Sequence, residues 1–223
     1  GQESWKGELL SRFREAGASA VVFEKPSPEQ EEACRRLGIQ LVPASAIQFL
    51  DWPSLSKAKP GVPVALTEGQ WPGIARSGSR DDTEVASASR QPWVDADSFW
   101  VGCLRAVAPD RPALMGYRPD EKAGVTKDRV VPFETLELAL ADAWVGGGNC
   151  LLELEPRFRG ALEKEETQAG TAWNRLKRTA AWIRQNAAWF RRPVMPLATT
   201  LVEPGTESAE LANLMYRQAV SPA

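Results

Sequence analysis

The chain has 223 residues and a formal net charge of −2, with nine tryptophans and no histidine. The absence of histidine excludes Ser-His-Asp triads, Cys-His dyads and histidine-ligated zinc, so acid–base chemistry near neutral pH must use carboxylates, Lys, Tyr or Cys. The near-neutral charge predicts neither a nucleic-acid-binding stripe nor a polybasic membrane patch. A domain of this length can bury a core without a metal or a disulfide.

Short apolar runs alternate with amphipathic segments along the first half of the chain. Glycines after the periodic segments and prolines after the apolar runs mark the ends of these elements. Ser27-Pro28-Glu29 is typical of a helix start, with a capping residue, a proline and an acidic first turn. In chain order we predict a helix over 5–16, a strand over 20–24, a helix over 28–37, a strand over 39–42, a short helix or turn over 46–55, and strands over 62–67 and 84–89.

The second half continues this alternation. Apolar residues recur at three- and four-residue spacing from Trp173 to Phe190, and we interpret Trp173, Trp182 and Trp189 as packing residues of one long helix. Gly146-Gly147-Gly148 follows a helix, which indicates a helix stop rather than a phosphate loop. We predict helices over 99–107, 132–145, 170–190 and 208–217, strands over 112–117, 149–155 and 194–202, and a solvated charged turn or helix start over 163–166.

Seven predicted strands separated by crossovers indicate an α/β protein with parallel strands. Two architectures fit this order: a (β/α)8-type TIM barrel, irregular or incomplete, and an open doubly wound parallel sheet. No G-x-G-x-x-G follows the first strand and no Walker motif is present, which weakens the nucleotide-binding form of the open sheet. We therefore predict that residues 1–223 form a single barrel-type domain, cut from a longer multidomain protein.

Carboxylates and aromatic rings follow the predicted strands, where the functional residues of a parallel barrel gather. Glu24 and Glu153 belong to this group. In a chain without histidine, paired carboxylates indicate glycoside hydrolysis: one acid protonates the leaving oxygen, the other acts as nucleophile or base, and aromatic faces stack on sugar rings. The catalytic candidates are Glu68, Asp95, Asp120, Glu155 and Glu203, and the candidate substrate-binding residues are Trp71, Trp93 and Tyr117.

Three segments carry a family resemblance. Leu66 to Gly73, Arg90 to Asp95 with the Trp-containing helix behind it, and Leu114 to Asp120 resemble bacterial glycoside-hydrolase-like proteins with a TIM-barrel-type domain, which are often exported. The resemblance implies a carbohydrate-related role. In many retaining barrel hydrolases the acid/base follows strand four and the nucleophile follows strand seven, positions that Asp95 and Glu203 match here. Where those hydrolases carry an Asn-Glu pair, this chain has Trp93-Val94-Asp95.

Two other functions fit the same residues. A non-catalytic carbohydrate-binding or scaffold module would leave its carboxylates scattered, whereas a hydrolase needs a pair about 5–5.5 Å or about 6.5–9.5 Å apart beside a cleft. A carboxylate-only Mg²⁺ or Ca²⁺ site is the third reading, with Asp95-Ala96-Asp97 as its sole motif. We predict a carbohydrate partner, no cofactor and no bound metal, and we expect neither nucleic acid nor a membrane as a partner.

The cysteines and the chain start bear on chemistry and location. Cys34, Cys103 and Cys150 form no C-x-x-C pair and are predicted to be small buried side chains. No run reaches the roughly 18 apolar residues of a membrane span. The chain begins Gly1-Gln2-Glu3 without methionine, which we interpret as a removed leader or a trimmed start, and we expect an extracytoplasmic location, periplasmic or secreted.

Overall fold

The computed structural model describes residues 7–66, 101–102, 104–105, 109, 113–117, 133, 136–145, 149–154 and 156–190. Parallel strands alternate with helices along these residues. In chain order the elements are α1 (Gly7–Ala16), β1 (Ala20–Phe23), α2 (Pro28–Leu37), β2 (Gln40–Pro43), a 3₁₀ turn (Ala44–Ala46), β3 (Gln48–Leu50), a 3₁₀ helix (Trp52–Lys57), β4 (Val64–Leu66), β5 (Ala113–Tyr117), α3 (Leu136–Val145), β6 (Asn149–Leu152), α4 (Pro156–Glu163), α5 (Thr167–Gln185) and α6 (Ala187–Phe190).

The ends of α2 follow from its local sequence. The Ser27 hydroxyl accepts a hydrogen bond from the Gln30 backbone N–H at 3.3 Å, and the Gln30 side chain accepts one from the Ser27 N–H at 2.8 Å. This capping box satisfies two backbone donors that the first turn leaves without partners. At the other end Gly38 adopts a left-handed conformation with φ of 63°, which glycine allows without steric cost. The predicted helix over 28–37 is confirmed.

The C-terminus of α1 is held by α5. The Arg184 guanidinium donates to the Ala16 carbonyl at 3.1 Å, and Lys177 Nζ lies 2.9 Å from Glu15 Oε2. A cation at this position compensates the partial negative charge of the last carbonyls of α1. Gly17 has φ of 89°, and the space that a β-carbon would fill there is occupied by Arg184. Glycine at this position therefore serves both the turn and the contact between the two helices.

All strand pairs in the described residues are parallel, as the α/β prediction requires. β1 pairs with β2, and Ala20 lies opposite Gln40. A second sheet has the order β3-β4-β5-β6, so strands that are adjacent in this sheet are also consecutive along the described chain. β4 is buried at all three positions, as expected for a central parallel strand covered on both faces. The α/β class with parallel strands is confirmed.

One predicted element needs correction. Residues 46–55, predicted as a short helix or turn, contain β3 as well as parts of two 3₁₀ segments. Only four residues separate β2, which belongs to the first sheet, from β3, which belongs to the second. β4 pairs directly with β5, Val64 opposite Ala113. The predicted strand over 84–89 lies outside the described residues.

The helices pack around an aromatic cluster, which we define as Phe13, Phe133, Phe158 and Trp173. The Trp173 ring centroid lies 5.8 Å from that of Phe13 and 6.5 Å from that of Phe158, and Phe133 and Phe158 are 4.7 Å apart. These tilted pairs have the separations that aromatic rings favour in protein cores. Trp173 is 5% exposed, so its predicted role as a packing residue is confirmed.

The other two tryptophans of the long helix were predicted wrongly as packing residues. Trp182 is 50% exposed and Trp189 is 61% exposed. The predicted helix over 170–190 begins earlier, at Thr167, and is interrupted at Asn186, whose side chain donates to the Trp182 carbonyl at 2.8 Å. The charged stretch 163–166 is exposed and contains the turn between α4 and α5, as predicted.

A partly buried carboxylate links α3 to α5. The Glu137 side chain is 15% exposed and forms an ion pair with Arg175, and Thr179 Oγ1 donates to it at 3.4 Å. Trp144 is half-buried in α3. None of the helices that the structure describes is both long enough and apolar enough to cross a membrane.

Candidate carboxylate site at the strand ends

Parallel pairing brings the C-terminal ends of β3 to β6 to one edge of the sheet. Leu50 lies opposite Leu66, Leu66 opposite Met115, and Met115 opposite Cys150. β5 extends this register by two residues, so that its last residue, Tyr117, lies opposite Leu152, the last residue of β6. The four strands therefore end at neighbouring positions along the same edge of the sheet.

Of the predicted site residues, Tyr117 alone falls within the described strands, and it forms the end of β5. In the sequence Glu68 follows the end of β4 by two residues, Asp120 follows the end of β5 by three, and Glu155 follows the end of β6 by three. The candidates that lie outside the described residues are Glu68, Asp95, Asp120, Glu155 and Glu203 among the carboxylates, and Trp71 and Trp93 among the aromatic residues.

Asp51 is a carboxylate at this edge that the sequence interpretation missed. It follows β3 directly and is exposed, and its Oδ1 accepts a hydrogen bond from the Ser54 N–H at 3.0 Å. That hydrogen bond lowers the pKa of Asp51, which suits a helix cap and does not suit a proton donor. Asp51 before Trp52-Pro53 is the pattern of a capping residue with proline in the first turn, so the sequence contained the signal.

Two further strand-end carboxylates are solvated. Glu24 follows β1 and Glu153 follows β6, and both are exposed. The carboxylic acid that donates the proton in a glycoside hydrolase lies in an apolar pocket in the best-known cases. The exposed positions of Glu24 and Glu153 differ from such a pocket. Within the ranges that the structure describes, no group of three Asp, Glu or Cys residues is arranged to hold a metal ion.

A shallow depression of about 350 Å³ lies along one face of α5. Its described lining residues are Gln168, Thr171, Ala172 and Arg175, which recur at the three- and four-residue spacing of a single helix face. The one charged group among them, Arg175, is already paired with Glu137 on α3. These lining residues include no carboxylate pair, so the depression does not provide the acid and base of a hydrolase.

The thiols are placed for packing rather than for catalysis. Cys34 is buried in α2 and burial raises its pKa, and burial raises the pKa of Cys150 in β6 to about 12. A nucleophilic cysteine requires the opposite shift, since the thiolate is the reactive form. The prediction of a small buried side chain is confirmed for Cys34, whereas Cys150 is only partly buried and Cys103 lies outside the described residues.

We predict that iodoacetamide will alkylate Cys34 and Cys150 far more slowly in the folded protein than in guanidinium chloride. At pH 8 a thiol of pKa about 12 carries about 10³-fold less thiolate than an unfolded one. Because the Cys150 pKa is higher in the folded state than in the unfolded state, ionisation of this thiol does not lower the free energy of unfolding at pH values below the unfolded pKa. The free energy of unfolding falls as the pH rises from there toward 12. Peptide mass mapping of alkylated sites measures this, and rapid labelling of Cys150 in the native state would contradict it.

Comparison of the chain with protein-family models, with curated proteins and with solved structures gives no match.

Proposed function

We propose that this protein is an irregular parallel (β/α) barrel that hydrolyses a glycosidic bond with two carboxylates at the C-terminal ends of its strands. The observation that supports the proposal is the shared edge at which β4, β5 and β6 end, because three of the catalytic candidates follow these strands within three residues. The family resemblance of the sequence motifs points to the same class of reaction.

The strand order favours the barrel over the doubly wound sheet. A doubly wound sheet reverses its strand order at a switch point, whereas a barrel keeps sequential strands adjacent. The described sheet runs β3-β4-β5-β6 without a reversal, and β1 and β2, also adjacent in sequence, pair with each other.

The spacing of parallel strands supports a carboxylate pair at this edge. Neighbouring strands lie about 4.8 Å apart, so the ends of β4 and β6, with β5 between them, are roughly 10 Å apart. In the sequence Glu68 follows β4 by two residues and Glu155 follows β6 by three, and each extended residue spans at most about 3.5 Å. Rotamers and short loops can bring such side chains to the separations that retaining or inverting hydrolases use.

The test is release of reducing ends from a panel of polysaccharides by the full chain and by amide variants of the candidates. Because one carboxylate must donate a proton and the other must attack or activate water, we expect two substitutions to lower kcat by about 10²- to 10⁴-fold with unchanged thermal unfolding. The variants are Glu68→Gln, Asp95→Asn, Asp120→Asn, Glu155→Gln and Glu203→Gln. The matched control is Glu163→Gln, which alters an exposed carboxylate at the end of α4.

Two outcomes would contradict the proposal. If Glu68→Gln and Asp95→Asn both retain full turnover, these two assignments are rejected. If the full chain binds oligosaccharides but releases no reducing ends from any of them, the protein is a carbohydrate-binding or scaffold module and its carboxylates have no catalytic role.

A further inference from the structure

A strip of polar and aromatic side chains runs along the outer face of α5 into α6. We define the exposed strip as Arg178, Trp182, Gln185 and Trp189, all four of which are exposed. At about 100° per residue these positions fall within an arc of about 60° on a helix, and they lie opposite the buried Trp173. The two indole centroids are 6.3 Å apart, so the strip remains continuous across the interruption at Asn186.

The indoles of the exposed strip form a corner rather than a flat surface. Their planes meet at 82° in an edge-to-face pair, so a sugar ring can stack on an indole face that the edge of the partner ring leaves uncovered. Trp182 and Trp189 keep 50% and 61% of their surface exposed, whereas tryptophan is highly buried on average in folded proteins. Large exposed apolar side chains of this kind mark binding surfaces when they lie together.

The charge around the exposed strip has one sign. Residues 167–190 contain four Lys or Arg residues and no Asp or Glu. Arg175 and Lys177 form ion pairs with Glu137 and Glu15, and Arg184 donates to the Ala16 carbonyl. Arg178 is exposed and forms no ion pair or hydrogen bond with any residue that the structure describes. It lies one turn from Trp182, close enough for one ligand to contact both side chains.

We infer that the exposed strip binds a glycan that carries carboxylates, with a sugar ring against the indole corner and a uronate carboxylate on Arg178. Guanidinium matches a carboxylate through two parallel hydrogen bonds, and Gln185 adds a donor and an acceptor for hydroxyl groups. Single-stranded nucleic acid would need several phosphate contacts, whereas the four residues of the strip include one cation, Arg178. A membrane surface would need a broad apolar face, whereas that face of α5 is buried in the core.

This inference goes beyond the proposed hydrolase site, because the strip lies on α5 and α6 and not at the strand ends. Its test is affinity electrophoresis of the full chain in gels that contain polygalacturonate or, for comparison, an uncharged soluble glucan. We expect polygalacturonate to retard the protein selectively, and we expect about 0.5 M salt to weaken the interaction in a solution binding assay. Glu163→Gln, which alters an exposed carboxylate outside both the strip and the strand ends, should bind like the parent chain. Binding of polygalacturonate without release of reducing ends would support the strip and contradict the catalytic proposal, so the two results are distinguishable.

Substitutions in the exposed strip test whether polygalacturonate binds there. We expect Trp182→Ala, Trp189→Ala and Arg178→Gln each to weaken polygalacturonate binding by about tenfold or more, with far-ultraviolet circular dichroism unchanged. Arg36→Gln, which removes an exposed guanidinium from α2, is the matched control and should have no effect. Equal retardation by the uncharged glucan, full binding by the variants, or a preference for single-stranded DNA or anionic vesicles would overturn the inference. So would the absence of binding to polygalacturonate, or Trp-dependent dimerisation by sedimentation.

Discussion

Replacement of Trp173 by alanine is expected to lower the free energy of unfolding by about 3–5 kcal/mol. The indole is 5% exposed and contacts Phe13 of α1 and Phe158 of α4, so its removal opens a cavity where three helices meet. The cost combines the lost transfer free energy of a large side chain with the unfilled volume, because a rigid aromatic cluster cannot collapse onto the site. Urea denaturation followed by circular dichroism measures the change.

Two substitutions on the same residue type serve as controls. Trp182→Ala removes the same side chain from an exposed position of α5, and it should change stability by at most about 0.5 kcal/mol. Trp173→Phe keeps an aromatic ring and removes the indole N–H, for which no hydrogen-bond acceptor is present among the described residues. Since a buried unpaired donor costs about 1–3 kcal/mol, its removal offsets much of the lost burial. Equal effects of Trp173→Ala and Trp182→Ala would contradict the assignment of Trp173 to the core.

The contrast between these tryptophans was already present in the sequence. At about 100° per residue, Trp182 lies about 180° from Trp173 and Trp189 about 160° from it. The apolar repeat that contains Trp173 therefore cannot also contain the other two. The angle around the helix axis therefore distinguishes the buried indole from the two exposed ones, whereas residue type alone does not.

β3 could not be identified from its own residues. Gln48-Phe49-Leu50 is three residues long, which is too short for a period of two to be distinguished from a helical turn. The strand exists because tertiary pairing with β4, Gln48 opposite Val64, supplies its hydrogen bonds. The direct pairing of β4 with β5 is equally non-local: the sequence pattern indicates strands but does not encode which strand is the neighbour of which.

The positions that could form the site were predictable from the sequence, whereas the distances between them and the surroundings of each side chain were not. Parallel alternation was enough to predict that the residues after each strand meet at one edge, and the register of β4, β5 and β6 agrees with this. The role of an individual carboxylate depends on its neighbours, however. Asp51 lies at the same edge, yet its hydrogen bond to the Ser54 N–H commits it to a helix cap, and spacing in the sequence does not distinguish such a residue from an acid that can donate a proton.

Gly116 lies in β5 where the strand passes close to the backbone of β4. We expect Gly116→Ala to lower the free energy of unfolding by about 1–3 kcal/mol and Gly116→Val to lower it by more. A β-carbon at this residue of β5 would lie 2.8 Å from the Leu66 carbonyl oxygen of β4. Because that oxygen belongs to the backbone, relief requires the two strands to separate, and the chain segments that lead to Glu68 and Asp120 would move apart with them. Thermal unfolding measures the loss of stability.

The matched control for Gly116 is another glycine with open space around it. A β-carbon on Gly160 of α4 meets no atom within 4 Å, and glycine inside a helix costs about 0.5–1 kcal/mol relative to alanine. Gly160→Ala should therefore stabilise the protein while Gly116→Ala destabilises it, although both substitutions add the same methyl group. Stabilisation by Gly116→Ala would show that β4 and β5 are not held at this separation. Gly116→Ala should also lower the proposed hydrolase activity at temperatures where the protein remains folded, because β4 and β5 precede two of the proposed catalytic carboxylates in the sequence.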